Sequence, residues 1–429
     1  MSAATKQRTP KTAADDSGAV PPGYKWTEVG VIPQDWEAVP LGELFVFKNG
    51  LNRAKRFFGF GTPIVNYMDV YGHPGLRLVD LHGRVSLSAR EIKNFEVRQG
   101  DVFFTRTSET VEEIGVAAVM LDQPADTVFS GFVLRARPKD GRLDDAYKQY
   151  CFATPQVRSR VESTSTYTTR ALTNGRSLSA VFVAVPPPPE QRAIAEALSD
   201  VDALLGAVEV LIAKKRAIKQ AAMQQLLTGK TRLPGFSGAW ETRRMAEDVT
   251  LLSGHHVMAH HCNTRGDGTP YLTGPADFPD GRIRQTKFTV KPTTLCRPGD
   301  ILVTVKGSGS GMLVEADGKY CISRQLMAIR TSCWSAKFLF YSLLQNVPRI
   351  AAASTGLIPG LSRADLLEQE LPLPSEPSEQ TAIATVLSDM DAEIAALERR
   401  RDKTGAIKQG MMQQLLTGRV RLVEPVVAA

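Results

Sequence analysis

Residues 190–233 read EQRAIAEALSDVDALLGAVEVLIAKKRAIKQAAMQQLLTGKTRL, and residues 379–422 read EQTAIATVLSDMDAEIAALERRRDKTGAIKQGMMQQLLTGRVRL. The two stretches align without a gap, and more than half of their positions are identical. Identity over such a length does not arise by chance, so it indicates an internal duplication. The chain is therefore expected to contain two copies of one plan.

Each copy predicts one long helix. Prolines precede both copies and block helical continuation from upstream, and Gly229 and Gly418 follow the last apolar pair, where a left-handed cap is expected. Between these marks, apolar residues recur at steps of four and three, a narrow seam typical of a helix that pairs with another helix. The seam residues are Ile194, Leu198, Val201, Leu205 and Val208 in the first copy and Ile383, Leu387, Met390, Ile394 and Leu397 in the second.

We expect the two copies to pack against each other, and the alternative is that each helix packs on its own domain. The second seam breaks at Arg401, where the first copy has Ile212. Gly405 and Gly410 weaken the second helix by about 1 kcal/mol each relative to alanine, so packing must hold its C-terminal half. A helix of ~38 residues is about 57 Å long, so we expect it to act as a spacer between the domains.

The two segments before the helices resemble each other faintly. Both open on a tryptophan, Trp36 or Trp240, and both carry a Gly-Thr-Pro strand and a later Gly-Asp strand. Short apolar runs bounded by Gly, Pro and Asp predict strands, so we expect mixed α/β (α+β) domains. The expected organisation is a disordered tail at 1–23, a first domain at 24–185, a first helix at 186–233, a second domain at 234–371, a second helix at 372–422 and a tail at 423–429.

Composition indicates an ordinary globular protein with a basic excess. The chain has 429 residues, 52 Lys and Arg against 45 Asp and Glu, and a formal charge of +7. Such an excess suits a polyanionic partner. The five cysteines form no CxxC pair, as in reduced cytoplasmic proteins, and no apolar run is long enough for a membrane helix.

The predicted loops carry side chains that suit duplex DNA. Arg and Asn can make paired hydrogen bonds to a purine edge, whereas Lys, Ser and Thr suit phosphates. The candidates in the first domain are Lys48, Asn49, Asn52, Arg53, Arg56, Arg106, Thr107, Tyr167, Arg170, Asn174 and Arg176. Those in the second domain are His255, His256, Lys306, Ser308, Arg324, Gln325, Ser354 and Thr355.

One alternative is a zinc site in the stretch 255–262, where His256 and His260 are four residues apart. No acid lies between them and a glycine precedes the stretch, so a loop that contacts bases or phosphates is favoured and no metal site is expected. The chain also lacks a Walker motif, a nucleotide-binding glycine fingerprint and the tetrapeptide of amino-methyltransferases. These absences favour a protein without a catalytic site.

The layout resembles the DNA specificity subunit of type I restriction–modification enzymes over roughly 24–425. The most specific motifs are P-x-x-EQ leading into AIA-x-x-L-S-D-x-D, and AIKQ-x-x-MQQLLTG-x-x-RL, and both occur twice. The resemblance implies two target-recognition domains, each reading half of a bipartite double-stranded DNA target. It also implies helices that pair as an antiparallel coiled coil with a pseudo-two-fold repeat and set the gap between the half-sites.

The same resemblance implies partners. Two methyltransferase subunits would supply S-adenosylmethionine chemistry on adenine, and restriction subunits would hydrolyse ATP and cut. S-adenosylmethionine, ATP and Mg²⁺ are therefore expected on partner subunits and no cofactor on this chain. Two alternatives stay open, a scaffold that never touches DNA and a fused methyltransferase or nuclease with an unrecognised site.

Overall fold

The structure, a computed structural model, describes residues 20–167, 169–307, 309–352 (side chains to residue 346) and 360–424. The chain divides into two compact units. Unit 1 comprises Met1–Ala207 and Asp402–Ala429, and unit 2 comprises Val208–Arg401. Among the described residues, no helix is both long and apolar enough to cross a bilayer.

The described residues of unit 1 form fifteen strands and six short helices together with parts of both long helices. The strands are β1 (Tyr24–Thr27), β2 (Gly30–Pro33), β3 (Glu37–Pro40), β4 (Phe45–Asn49), β5 (Phe58–Val65), β6 (Gly75–Leu76), β7 (Arg84–Val85), β8 (Val102–Thr105), β9 (Thr107–Ser108), β10 (Ala117–Met120), β11 (Val128–Phe129), β12 (Val133–Pro138), β13 (Thr166–Tyr167), β14 (Ala171–Leu172) and β15 (Phe182–Val185). The helices are α1 (Leu41–Leu44), α2 (Tyr67–Gly72), α3 (Ala89–Asn94), α4 (Asp145–Cys151), α5 (Pro155–Thr164), α6 (Gly175–Ser179) and the start of α7 (Pro188–Leu226).

Unit 2 repeats this inventory in shorter form, with eleven strands among its described residues. They are β16 (Trp240–Arg244), β17 (Val249–Ser253), β18 (Cys262–Asn263), β19 (Thr269–Leu272), β20 (Phe288–Thr289), β21 (Leu295–Cys296), β22 (Ile301–Thr304), β23 (Leu313–Glu315), β24 (Tyr320–Ile322), β25 (Leu326–Thr331) and β26 (Glu370–Pro374). Its helices are α8 (Met245–Asp248), α9 (Ala336–Ala352), α10 (Arg363–Leu367) and most of α11 (Pro377–Leu415).

The main sheets of the two units follow the same strand order. Unit 1 has β4-β12-β8-β10-β6 and unit 2 has β17-β25-β22-β23. The strand that follows the Gly-Asp pair lies inside each sheet: β8 lies between β12 and β10, and β22 lies between β25 and β23. All four residues of β8 and of β22 are buried. The predicted mixed α/β plan in two copies is therefore confirmed.

The same ion pair holds each main sheet. Arg137 donates from Nε to Asp101 Oδ1 at 2.9 Å and from Nη2 to Oδ2 at 2.8 Å. Arg330 donates to Asp300 in the same way, at 2.9 and 2.7 Å. Both aspartates are almost fully buried, so the bidentate geometry is what makes their charge tolerable there.

The two long helices lie inside the stretches 186–233 and 372–422 that the sequence assigns to them; α7 ends at Leu226 and α11 at Leu415. Both are 39 residues long. Gly229 and Gly418 take positive φ angles of 69° and 68°, as expected of left-handed caps. The second helix runs unbroken through Gly405 and Gly410.

The first turns of each long helix belong to a domain core. Ile194 and Leu198 are fully buried among sheet residues of unit 1, and Ile383 and Leu387 are fully buried in unit 2. These four seam residues thus pack into domain cores, and each core also contains C-terminal residues of the other long helix, Leu415 in unit 1 and Leu226 in unit 2. Further along, Val208 and Ile394 are buried, whereas Val201, Leu205, Met390 and Leu397 are partly exposed. For these residues, helix pairing stays a prediction.

Candidate nucleic-acid interface

A buried carboxylate at the start of α7 joins three parts of unit 1. Glu190 is 1% exposed, and its Oε2 accepts a hydrogen bond from Trp36 Nε1 at 2.8 Å. Arg421, which follows α11, donates from Nε to Oε1 at 2.6 Å and from Nη2 to Oε2 at 2.7 Å. The hydrogen bonds to Glu190 raise the pKa of Arg421, with a further contribution from Asp35. The segment after the second long helix therefore completes the first domain.

Unit 2 contains the equivalent junction. Arg232 follows α7 and donates to both oxygens of Glu379, at 2.6 and 2.7 Å, and Glu379 is fully buried. The hydrogen bonds to Glu379 raise the pKa of Arg232, whose guanidinium carbon lies 5.8 Å from the centre of the Trp240 ring. Each domain is thus closed by an arginine from the other repeat.

A second pair of junctions joins the first half of one long helix to the second half of the other. In unit 1, Asp202 of α7 accepts a hydrogen bond from Tyr150 at 3.0 Å and lies 2.5 Å from Lys408 Nζ of α11. In unit 2, a tyrosine, an aspartate and a lysine repeat this arrangement at 2.7 and 2.6 Å; they are Tyr341, Asp391 and Lys219. Partial burial raises the pKa of both tyrosines.

Two more ion pairs join the long helices within unit 2. Lys215 pairs with Glu393 and Arg216 pairs with Glu398, each at 2.6 Å. The aligned positions in the other repeat combination are Thr404 with Leu204 and Gly405 with Glu209, which cannot form these pairs. The two ion pairs are therefore specific to unit 2, whereas the Asp–Lys pair between the helices occurs in both units.

Of the candidate DNA-binding residues at the end of β4 and just after it, two form polar contacts within the domain. Lys48 is half-buried and donates to Asn94 Oδ1 at 2.7 Å, and burial lowers the pKa of its ammonium group. Arg53 forms an ion pair with Glu91. The remaining candidates of this loop are exposed; they are Asn49, Asn52 and Arg56.

A small sheet brings together two candidate loops that are far apart in sequence. Its strand order is β13-β14-β9, which sets Leu172 opposite Thr107. Tyr167 on β13 is 58% exposed, and Arg170 lies in the turn to β14 with 61% of its side chain exposed. Arg106, just before β9, is partly exposed.

Asn174, a candidate DNA-binding residue, is also the N-cap of α6. Its side-chain oxygen accepts hydrogen bonds from the backbone N–H groups of Arg176 and Ser177, both at 3.0 Å, and so caps α6. This use of the oxygen leaves the side-chain amide as the group that can meet a partner. Arg176 itself is exposed.

In unit 2, backbone hydrogen bonds join two candidate segments to the residues at the end of β24 and in the turn to β25, where the third candidate segment lies. His255 N donates to Ile322 O at 3.2 Å, and Val305 N donates to Gln325 O at 2.8 Å. Exposed side chains in these segments are His255, His256, Lys306, Arg324 and Gln325. Ser308, Ser354 and Thr355 lie outside the described residues.

The histidine stretch forms a loop and a short 3-10 turn. The rings of His260 and His261 are 4.0 Å apart, and His255 Nδ1 lies 2.8 Å from Thr294 Oγ1. In the part of the chain that the structure describes, no three His, Cys, Asp or Glu residues lie close enough together to hold a metal ion.

The sequence-based candidates do not include five residues that share a recess with Thr107 and Arg170. This recess of about 300 Å³ is also lined by Tyr67, Ser108, Glu109, Glu113 and Phe132. The signal available in the sequence was the run TSETVEE beside a candidate loop.

Comparison with known proteins gives one consistent result. The family model described as "Type I restriction modification DNA specificity domain" matches residues 33–214 and 239–404. The putative type I restriction enzyme MjaX specificity subunit of Methanocaldococcus jannaschii is 25% identical over 417 residues, covering 93% of this chain and 97% of that protein.

Two solved structures share the fold. The S subunit of a type I restriction–modification system from M. genitalium aligns with a TM-score of 0.58 at 16% identity, over 89% of this chain and 96% of that one. A chain solved in work on complex assembly of the type I R-M system aligns with a TM-score of 0.56 at 20% identity, over 91% and 99%. With the family match spanning both repeats, the chain belongs to the type I restriction modification DNA specificity family.

Proposed function

We propose that this protein is the specificity subunit of a type I restriction–modification complex and that each unit reads one half of a bipartite DNA target. The observation that carries the proposal is the presence of two equivalent domains in one chain, each closed by an arginine of the other repeat. Each domain has exposed polar loops that connect the strands of its own sheets. Linking two readers makes the second contact intramolecular, which strengthens binding without new contacts.

In this proposal the long helices pair as an antiparallel coiled coil that sets the gap between the half-sites. The ion pairs support it, because Lys219 lies beside Asp391 whereas Arg216, earlier on α7, lies beside Glu398, later on α11. The pairing of Asp202 with Lys408 in unit 1 fits the same direction. At 1.5 Å per residue, 39 residues make a spacer of about 58 Å.

The chemistry is assigned to partners of this chain. We propose that it is not itself an enzyme and that two methyltransferase subunits, with S-adenosylmethionine, dock on the helices, and that restriction subunits bring ATP and Mg²⁺. The purified chain alone, incubated with DNA and labelled S-adenosylmethionine, should transfer no methyl groups. Transfer by the chain alone would support the fused-enzyme alternative.

The direct test is selection of DNA by the full-length chain. Duplexes with random sequence should be enriched for two short elements at one fixed spacing, and log affinity should fall linearly with log salt. The triple variant Arg56→Ala, Arg170→Ala and Arg176→Ala removes exposed loop cations of unit 1 and should weaken binding and flatten the salt slope.

A control variant keeps the same loss of charge at other exposed positions of unit 1; it carries Arg90→Ala, Arg160→Ala and Arg192→Ala. It should bind nearly as wild type does. Equal weakening by both triple variants would mean that only net charge matters, and binding that is independent of salt would contradict the proposal. A chain that binds no DNA at all would favour the scaffold alternative.

A further inference from the structure

The recess of unit 1 is built from segments that are distant in sequence. Tyr67 begins α2, Thr107 and Ser108 form β9, Phe132 precedes β12, and Arg170 precedes β14. Its volume of about 300 Å³ is far too small for a duplex but suits contact with the edge of a base pair. It lies on the same small sheet as the candidate DNA-binding residue Tyr167.

The two carboxylates of the recess differ in their hydrogen bonds. Glu113 accepts hydrogen bonds from Tyr71 at 3.0 Å and from Ser108 at 3.1 Å. Glu109 has 85% of its side chain exposed and lies 3.9 Å from Arg170 Nη2, too far for a hydrogen bond. Within the described part of the chain, neither Glu109 nor Arg170 makes a closer side-chain polar contact.

An aromatic side chain that lines the recess is largely exposed. Phe132 is 61% exposed, although a phenyl ring of this size is normally covered. Tyr71, which holds Glu113, is 42% exposed and stacks on Tyr67. Exposed aromatic rings beside an arginine are suited to apolar contact with sugars and base edges.

A free carboxylate on a surface that meets phosphates is unfavourable unless it accepts a hydrogen bond from the DNA. In the major groove, carboxylates accept from the cytosine amino group, and arginine donates two hydrogen bonds to O6 and N7 of guanine. A G·C pair presents these groups side by side, as Glu109 and Arg170 present theirs. An A·T pair offers no pair of acceptors on one base for the guanidinium.

We propose that Arg170 and Glu109 together read one G·C pair in the half-site of unit 1. This inference rests on the proposed function and deepens it, because it names the base pair and the two residues that select it. The aligned loop of unit 2, TVKGSGS at 304–310, contains no acid. The G·C contact is therefore a property of the first half-site alone.

The test is selection from a random duplex library with the full-length chain and three single variants. With the wild-type chain, one position of one half-site should be G·C. Arg170→Ala and Glu109→Ala should each reduce the preference at that same position by about tenfold or more and leave other positions unchanged. Glu109→Ala should also bind unrelated DNA more tightly, because a negative charge leaves the interface.

The matched control is Glu112→Ala, which removes an exposed glutamate of the same segment that does not line the recess. It should leave every base preference unchanged. The inference is overturned if Arg170→Ala and Glu109→Ala keep the wild-type preferences, if they alter different positions, or if the altered position selects A·T. A wild-type chain that enriches no sequence overturns the proposed function itself, which is a distinct result.

Discussion

At the scale of single residues, the two buried glutamates are the sites where the repeats depend on each other. Glu190 receives hydrogen bonds from Trp36 and Arg421, whereas Glu379 receives them from Arg232 alone in the described contacts. The indole nitrogen of Trp240 is buried without a hydrogen-bond partner. In unit 1 the buried indole N–H has a hydrogen-bond acceptor, the carboxylate of Glu190, whereas the indole N–H of unit 2 has none among the described contacts.

We expect Glu190→Ala to destabilise unit 1 by about 3 kcal/mol, because it leaves the buried indole N–H of Trp36 without its acceptor and leaves Arg421 with Asp35 as its one carboxylate partner among the described contacts. Native-state hydrogen exchange of β3 and β15 would measure the loss. Glu209→Ala, on the exposed face of the same helix, is the control and should change stability by less than about 0.5 kcal/mol. Similar losses in both variants would contradict the assigned role of Glu190.

At this scale the sequence predicts DNA contacts from side-chain chemistry alone. Thr107 and Arg170 lie in one recess, and their contact with DNA stays a prediction. Lys48 and Asn174 have the same chemistry, yet Lys48 binds Asn94 and Asn174 caps α6. Polar side chains suit both roles equally, and only the position of the neighbouring segment decides between them.

At the scale of elements, the two ends of each long helix restrict the amino-acid sequence in different ways. The N-terminal turns are buried in a domain, so their apolar residues must fit a sheet. The C-terminal turns end in glycine caps whose φ angles of 69° and 68° disfavour other residues. Between them the helix surface is largely exposed, and helix propensity contributes more there than packing does.

Gly405→Ala and Gly410→Ala should each stabilise α11 by up to about 1 kcal/mol, since a methyl group at either position meets no atom within 4 Å. Thermal unfolding followed by circular dichroism would detect the rise. Gly418→Ala is the opposite case, because its φ is positive and the added carbon would lie 2.4 Å from Pro33. A gain in stability from Gly418→Ala would contradict the cap.

The ion pairs between the helices in unit 2 should differ in strength. Lys219 has 14% of its side chain exposed and Lys215 has 32%, so solvent screens the second lysine more. A double-mutant cycle on Lys219 and Asp391 should give a coupling energy of about 1 kcal/mol, and one on Lys215 and Glu393 a few tenths. Urea unfolding of the single and double alanine variants measures both. A larger coupling at Lys215 would contradict this ranking.

At the scale of the whole molecule, the proposed function depends on a fixed spacing between the two halves of the DNA target. Seven residues of helix correspond to about 10.5 Å, or roughly three base pairs at 3.4 Å each. The heptad also preserves the face that the helix presents, because seven residues are close to two turns.

Deleting residues 205–211 together with residues 394–400 should therefore shorten the selected gap by roughly three base pairs and leave the half-site sequences unchanged. DNA selection with the full-length variant measures the gap. Deleting only one of the two heptads is the control, and it should abolish selection because it shifts the ion pairs out of register. An unchanged gap after the double deletion would contradict the spacer role.

The sequence by itself determined the duplication, the presence of two long helices and their glycine caps. Helical hydrogen bonds, apolar periodicity and caps join residues that are close along the chain, so their pattern is legible without the fold. Only the tertiary structure decided that Arg421 closes the first domain on Glu190, 231 residues away, and that Glu109 shares a recess with Arg170. Such contacts form when sheets and cores bring distant segments together, and no local pattern records which segment will arrive.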